Sequence, residues 1–291
     1  MAVVACALLL GCAIDTAGLR PADAGGRRDA RGGDAQPPVD APDAPDAPGA
    51  RDAGTGPCAS RDADTIALWD FESGLPTVLR DVAGGHDGSG VRGPMAVDGP
   101  EGCGTALGLG GSEPPAYGVI PDSTDFHLAM GSIDLWVRYD GDLGLASDPP
   151  RGILSRDATG KAPGHFTLLL AGNGVLIVRV QTTGAEVVLC SDSPVTPSTW
   201  THVGVLLGAP EVELWVDGRL QTRTGFVTGR LALGACGETF DTGIAGNANP
   251  WVFGAGSWES AEGTGAPLAG YLAPAALDHV RISSVRRDFA W

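Results

Sequence analysis

Two stretches place acidic side chains where they could do chemistry. Asp81-Val-Ala-Gly-Gly-His-Asp87-Gly88 offers two carboxylates around a flexible glycine turn, the kind of oxygen-rich loop that calcium prefers. Asp beside Gly also serves as an Asx-turn that accepts nearby backbone amides, which is the plainer reading of the same residues. Glu211-Val-Glu213-Leu-Trp215-Val-Asp217 alternates, so an extended chain would aim its carboxylates and its indole at one face. Two such acids are the raw material of acid-base catalysis, yet Asp217 belongs to an Asp-Gly turn and a solvated strand face accounts for the rest. Neither Gly-x-Ser-x-Gly nor His-Glu-x-x-His occurs, so two common hydrolytic arrangements are absent. Sugars are held by an aromatic face with a few polar groups. Trp136 with Asp134 and Arg138, and Trp215 with Glu211 and Glu213, provide that mixture. Trp251 and Trp258 stand in Gly-rich surroundings and are expected to be exposed contacts, while residues 237–250 are long enough to cover the other two.

The cysteines point to an oxidising compartment. Setting aside Cys6 and Cys12, four remain, Cys58, Cys103, Cys190 and Cys236, and four allow three pairings. The preferred pairing joins chain neighbours, Cys58 with Cys103 and Cys190 with Cys236. It would anchor the start of the body and constrain the unfolded chain by about 4 kcal/mol per bridge. Zinc is disfavoured, since no two of these cysteines are closely spaced and no His stands near to complete a set.

The elements that must hold these groups read as short strands. Ile133, Leu135 and Val137 alternate with Asp134, Trp136 and Arg138, and Val212, Leu214 and Val216 oppose Glu211, Glu213 and Trp215. Thr65 to Glu72, Val175 to Val180, Trp200 to Leu206 and Leu277 to Ile282 have strand length and β-forming side chains. Asn173-Gly174 and Asp217-Gly218 predict type I′ hairpins. No segment shows a sustained helical period with caps, and Gly or Pro interrupts most windows long enough for a helix. The expected fold class is all-β, antiparallel, in one sandwich.

A series in chain order sharpens this. Leu68-Trp-Asp-Phe71-Glu-Ser-Gly74, Arg80 to Gly88, Ala106-Leu-Gly-Leu-Gly-Gly111, Tyr117-Gly-Val-Ile-Pro121, Ser132-Ile-Asp-Leu-Trp136-Val-Arg138, Gly152-Ile-Leu-Ser155, Thr199-Trp200-Thr-His202-Val203, Leu214-Trp-Val-Asp217-Gly218 and Leu277-Asp278-His-Val-Arg281-Ile282 together resemble the laminin-G-like, concanavalin-A-like jelly-roll family. That resemblance covers residues 64–291 and implies two curved antiparallel sheets. It brings the first and last strands together, so that Asp278 and Glu72 could join Asp81 and Asp87 around a structural calcium. Glycosidases of the same architecture carry Glu-x-Asp-x-x-Glu, which is absent here. The expectation is a binding module, not an enzyme, for a neutral glycan or a protein, with Trp251, Trp258, Trp215, Glu213 and Trp136 as candidate contacts. A structural envelope protein, or a glycoside hydrolase with an unrecognised site, is the alternative.

The rest of the chain suggests where such a module works. Lys plus Arg number 19 against 35 Asp plus Glu, a formal charge of -16, which repels nucleic-acid phosphates and anionic lipid. Met1 to Leu10 is apolar and runs into Leu9-Leu10-Gly11-Cys12, which resembles the bacterial lipobox, with Cys12 as the lipid-bearing residue of an exported, outer-membrane or surface-anchored protein of a Gram-negative bacterium. The expected organisation is a signal over 1–12, a disordered linker rich in Ala, Asp, Pro and Gly over 13–57, and the jelly roll over 58–291. Repeated Asp-Ala-Pro from Asp40 to Pro48 favours an extended spacer that cannot bury enough apolar surface to fold.

Overall fold

A computed structural model describes residues 58–73, 77–110, 113, 115–157, 163–225, 235–256 and 272–290. Cys12, the linker and Trp258 lie outside them. In chain order the strands are β1 (Thr65–Trp69), β2 (Val78–Leu79), β3 (Gly88–Val91), β4 (Met95–Asp98), β5 (Thr105–Gly108), β6 (Tyr117–Ile120), β7 (Gly131–Tyr139) and β8 (Arg151–Arg156). They continue with β9 (Phe166–Leu170), β10 (Leu176–Gln181), β11 (Glu186–Cys190), β12 (Trp200–Leu207), β13 (Glu213–Val216), β14 (Arg219–Leu220), β15 (Trp251–Phe253) and β16 (Ala275–Ser283). The only helical turn among the described residues is a 3-10 turn at Thr124–Phe126.

Two eight-stranded antiparallel sheets form a sandwich. The first runs β14-β13-β12-β7-β16-β5-β4, with β1 also paired to β16, and the second runs β11-β10-β9-β8-β15-β6-β3-β2. Alternation explains the inner faces. Ile133, Leu135 and Val137 of β7, Val203 and Val205 of β12, and Leu277 of β16 meet Leu168, Leu170, Val178 and Phe253 of the opposite sheet in one core. Removing the Leu135 side chain, which is fully buried, would cost about 2–5 kcal/mol through lost transfer energy and the cavity left behind. A second apolar cluster, Leu169, Ala171, Val175, Ile177, Val188 and Cys190 with Cys236, lies on the outer side of the second sheet.

The hairpin expectations divide. At β13–β14, Asp217 and Gly218 both have positive φ, 46° and 74°, as a type I′ turn requires. At β9–β10 only Gly174 does. Ala171 N–H donates to Val175 O, and Gly174 N–H donates to Ala171 O, so the loop is one residue longer and needs only one left-handed residue. Both expected disulfides form, Cys58 with Cys103 and Cys190 with Cys236. Such bridges persist in oxidising compartments, and no described helix is long and apolar enough to cross a membrane.

Trp251 corrects the sequence reading. It begins β15, pairs with Ile120 of β6, and is fully buried against Phe126 and Phe166. The surrounding glycines suggested a loop, but three β-forming residues, Trp251-Val-Phe253, were enough to make an inner strand of the second sheet.

Candidate functional site

The outer face of the first sheet gathers most of the polar and aromatic candidates. Antiparallel register sets Trp136 beside His202 on β12 and Asp278 on β16, and sets Arg138 beside Trp200. Because Leu135 and Val137 point into the core, their neighbours must point out. Trp136, Trp200 and Trp215 are all half-buried there. The Arg138 guanidinium lies 5.0 Å from the centre of the Trp200 ring, held by Asp140 through Nε at 2.8 Å and a second nitrogen at 3.1 Å. A cation over an indole face is attractive in itself, and the bidentate partner fixes its plane.

Other members of this face are engaged in structure. Asp134, expected beside Trp136 as a polar contact, is almost fully buried and takes Arg281 Nε at 2.9 Å and a second Arg281 nitrogen at 3.0 Å. Burial would raise its carboxyl, but Arg281 and His202 hold it below the usual range. Glu213 accepts the Trp215 indole N–H at 2.9 Å and pairs with Arg286. Part of residues 237–250 serves the second sheet instead. Ile244 enters the core, and the carbonyls of Ile244, Asn247 and Asn249 accept from buried Arg156.

Over His202 and Gly204 this outer face of the first sheet is covered by the C-terminal segment, which sequence reading missed. Phe289 is buried against the His202 ring at 5.7 Å, over Gly204, where any Cβ would strike its ring. Arg286 donates to Gly208 O at 3.0 Å and Glu211 O at 2.6 Å. Arg287 pairs with Asp62. The signal was present as Arg286-Arg287 and a terminal aromatic pair, but nothing in their spacing names a partner.

The four acids proposed for calcium separate into two pairs. Asp81 is buried, and its carboxylate accepts the amides of Leu68, Ala83, Gly84 and His86 at 2.8–3.0 Å together with His86 Nδ1 at 2.9 Å. Burial pushes its carboxyl up, and these donors bring it below its ordinary value. Asp87 accepts Asp81 N–H at 2.8 Å. His86 reaches across to Asp125 with its other nitrogen at 3.1 Å, so the turn is locked to the 3-10 segment.

Asp278 is also buried, yet its Oδ2 has no hydrogen-bond partner. Burial raises its carboxyl above the ordinary value, the His279 ring opposes this, and Glu72 adds to it. A bulge follows immediately, with His279 at φ 45° and the register against β7 shifted between Asp278 and Arg281. A Cβ on Gly99 would lie 2.7 Å from Asp278 Oδ2, 3.0 Å from Gly104 O and 3.3 Å from Cys103 O. A Cβ on Gly104 would collide with the Glu72 carboxylate, and Glu72 accepts the Thr105 amide at 2.7 Å. No three described His, Cys, Asp or Glu side chains converge on a metal position. A cation here would therefore depend on backbone carbonyls as well as the two acids, a donor set that suits calcium.

The closed pair of sheets and this strand order place the chain. Residues 115–287, more than half of it, match the family described as the concanavalin A-like lectin/glucanases superfamily. The chain belongs to that superfamily. No curated protein matches it in sequence. Among solved structures, this concanavalin A-like module is similar to the binding domain of Paraclostridial Mosquitocidal Protein 1, with 14% identity, 78% of this chain and 50% of that one covered, and a TM-score of 0.54. Domain 4 of a GH43 extracellular arabinanase from Geobacillus stearothermophilus, in complex with arabinotriose, matches at 15% identity over 79% of this chain and 96% of that one, with a TM-score of 0.52. A Trypanosoma rangeli sialidase in complex with 2,3-difluorosialic acid matches at 17% identity and a TM-score of 0.50, covering 79% of this chain and 32% of that one. The module thus spans half of the toxin chain and nearly all of the arabinanase domain. At such identities the likeness is one of fold.

Proposed function

We propose that this is a non-catalytic binding module that takes a neutral glycan on the outer face of its first sheet, around Trp136 and Trp200. The observation that carries the reading is the pairing of half-buried indoles with an oriented Arg138–Asp140 pair on one sheet face, the aromatic-plus-polar mixture that sugars require. An arabinanase domain of this fold is described with arabinotriose, a precedent for sugar on the architecture. Glu213 is tied to Trp215 and Arg286, which fits binding better than bond cleavage. The acidic surface disfavours sulfated glycans and nucleic acid. Calcium, in this reading, takes Asp278 and Glu72 instead of the saturated Asp81 turn, beside Trp136 in the β7–β16 register. The module is exported and held to the outer membrane or cell surface through lipid on Cys12, with residues 13–57 as its spacer.

A glycan array probed in calcium and in chelator tests this. Neutral oligosaccharides should bind, Trp200→Ala and Trp136→Ala should each weaken them at least tenfold, and the melting temperature of the free variants should stay near that of the parent. Uniform failure to bind any glycan by a folded protein would favour a structural envelope role or a protein ligand.

A further inference from the structure

The half of the cation site opposite Asp278 is built on a turn closed by a disulfide. Residues 99–104 connect β4 to β5, and β4 is an edge strand with three of its four residues exposed. Gly99 N–H donates to Gly104 O at 2.8 Å and Cys103 N–H to Pro100 O at 2.9 Å, while Gly102 and Gly104 have φ of 81° and 69°. Cys103 itself is bonded to Cys58. The other half is rigid by position. Asp278 belongs to nine-residue β16, which pairs with β7, β5 and β1. Its Oδ2 is buried and without a hydrogen-bond partner, and it lies on the same side of Gly99 as the Cys103 and Gly104 carbonyl oxygens, all three within 3.3 Å of where a Gly99 Cβ would stand. A buried acceptor left without a donor costs about 1–3 kcal/mol, so this arrangement is one that a cation would relieve.

We infer that the Cys58–Cys103 disulfide sets the affinity of this cation site, because it fixes the turn whose carbonyls meet Asp278, and that a bound cation in return protects the disulfide. The inference rests on the calcium reading given above and adds a redox control to it. With the bridge closed, the carbonyls of residues 103 and 104 are already gathered, and binding does not have to order them. With it open, an edge hairpin rich in glycine must be ordered at the moment of binding. Linkage makes the effect reciprocal: whatever factor the bridge adds to cation affinity, the cation adds to the stability of the bridge.

The test is titration of calcium chloride into the full chain, followed by calorimetry and by thermal melting, in three forms. These are the parent, Cys58→Ser with Cys103→Ser, and Cys190→Ser with Cys236→Ser. The first double variant should bind calcium about tenfold more weakly, within the range of roughly 5–150-fold usual for coupled sites, and the second should bind as the parent does. Equal affinity in all three would overturn the coupling while leaving the site in place. A parent that takes no calcium, its melting temperature the same with and without it, would overturn both. Should the first double variant fail to fold, the parent is instead reduced with a phosphine in calcium or in chelator, and the opening of each bridge is followed by peptide mapping. Calcium should slow opening of Cys58–Cys103 about tenfold and leave Cys190–Cys236 unchanged. Identical rates for Cys58–Cys103 in the two buffers would sink the idea.

Discussion

Asp81 and Asp278 are both buried carboxylates next to glycine turns, and they have been given opposite surroundings. Around Asp81 four amides and a histidine ring converge, so that every acceptor position has a donor. Around Asp278 only Oδ1 is served, by the His279 amide at 2.8 Å and the His279 ring at 2.9 Å, while Oδ2 lies near backbone carbonyls and has no donor. Donors around a carboxylate make a turn, whereas acceptors around a carboxylate make a place for a cation. The same residue type beside the same flexible residue therefore says little until the direction of the neighbouring peptide groups is known.

The contrast can be broken at its strongest point first. Asp81→Ala strands four amides in a half-buried turn and should lower the unfolding free energy by about 3 kcal/mol or more, read from the midpoint of a urea transition. The pH dependence sharpens it. Since the folded Asp81 carboxyl lies below its ordinary value, its stabilising share is fully present above the unfolded value near ~3.9 and disappears as pH falls through the lower folded one. Asp81→Asn should accordingly flatten the acid side of the stability curve. Asp278→Asn should do the reverse of Asp81→Ala. In chelator it removes a buried carboxylate whose Oδ2 lacks a donor and gives the Gly104 and Cys103 carbonyls an amide donor, raising stability by about 1 kcal/mol while abolishing the calcium-dependent rise in melting temperature. Gly99→Ala is the steric probe: its methyl would lie 2.7 Å from Asp278 Oδ2 and 3.0 Å from Gly104 O, so the carboxylate or the turn must shift. It should cost about 1–3 kcal/mol and eliminate the calcium response. A calcium response intact in Gly99→Ala would place the cation elsewhere.

Much of the fold was legible because β7 and β13 alternate apolar with polar or indole side chains residue by residue, even though outward positions of β7 such as Asp134 end up buried. Strands apolar on both faces lose that pattern. Phe166–Leu170 and Glu186–Cys190 are buried almost throughout, and Trp251-Val-Phe253 is too short and too closely flanked by glycine to announce an inner strand. The disulfide pairing could be preferred from chain order because each bridge closes a loop of modest length. The site was legible only in part. Asp278 and Glu72 were brought together by family resemblance alone, while the roles of the Cys103 and Gly104 carbonyls depend on peptide orientation, which side-chain identities do not encode. Arg156 shows the same limit. It reads as an ordinary strand cation, yet it is fully buried and donates to Asp122 and to four carbonyls from two distant loops.

The order of attachment at the start of the body has a mechanical consequence. Cys58 precedes β1 and is covalently joined to Cys103, while Asp62 is clasped by Arg287 at the far end of the sequence. Tension arriving along the chain ahead of Cys58 would pass through sulfur into the β4–β5 connection and leave the hydrogen bonds of β1 unloaded. A module tugged from that side would keep its first strand zipped for as long as the bridge stays shut.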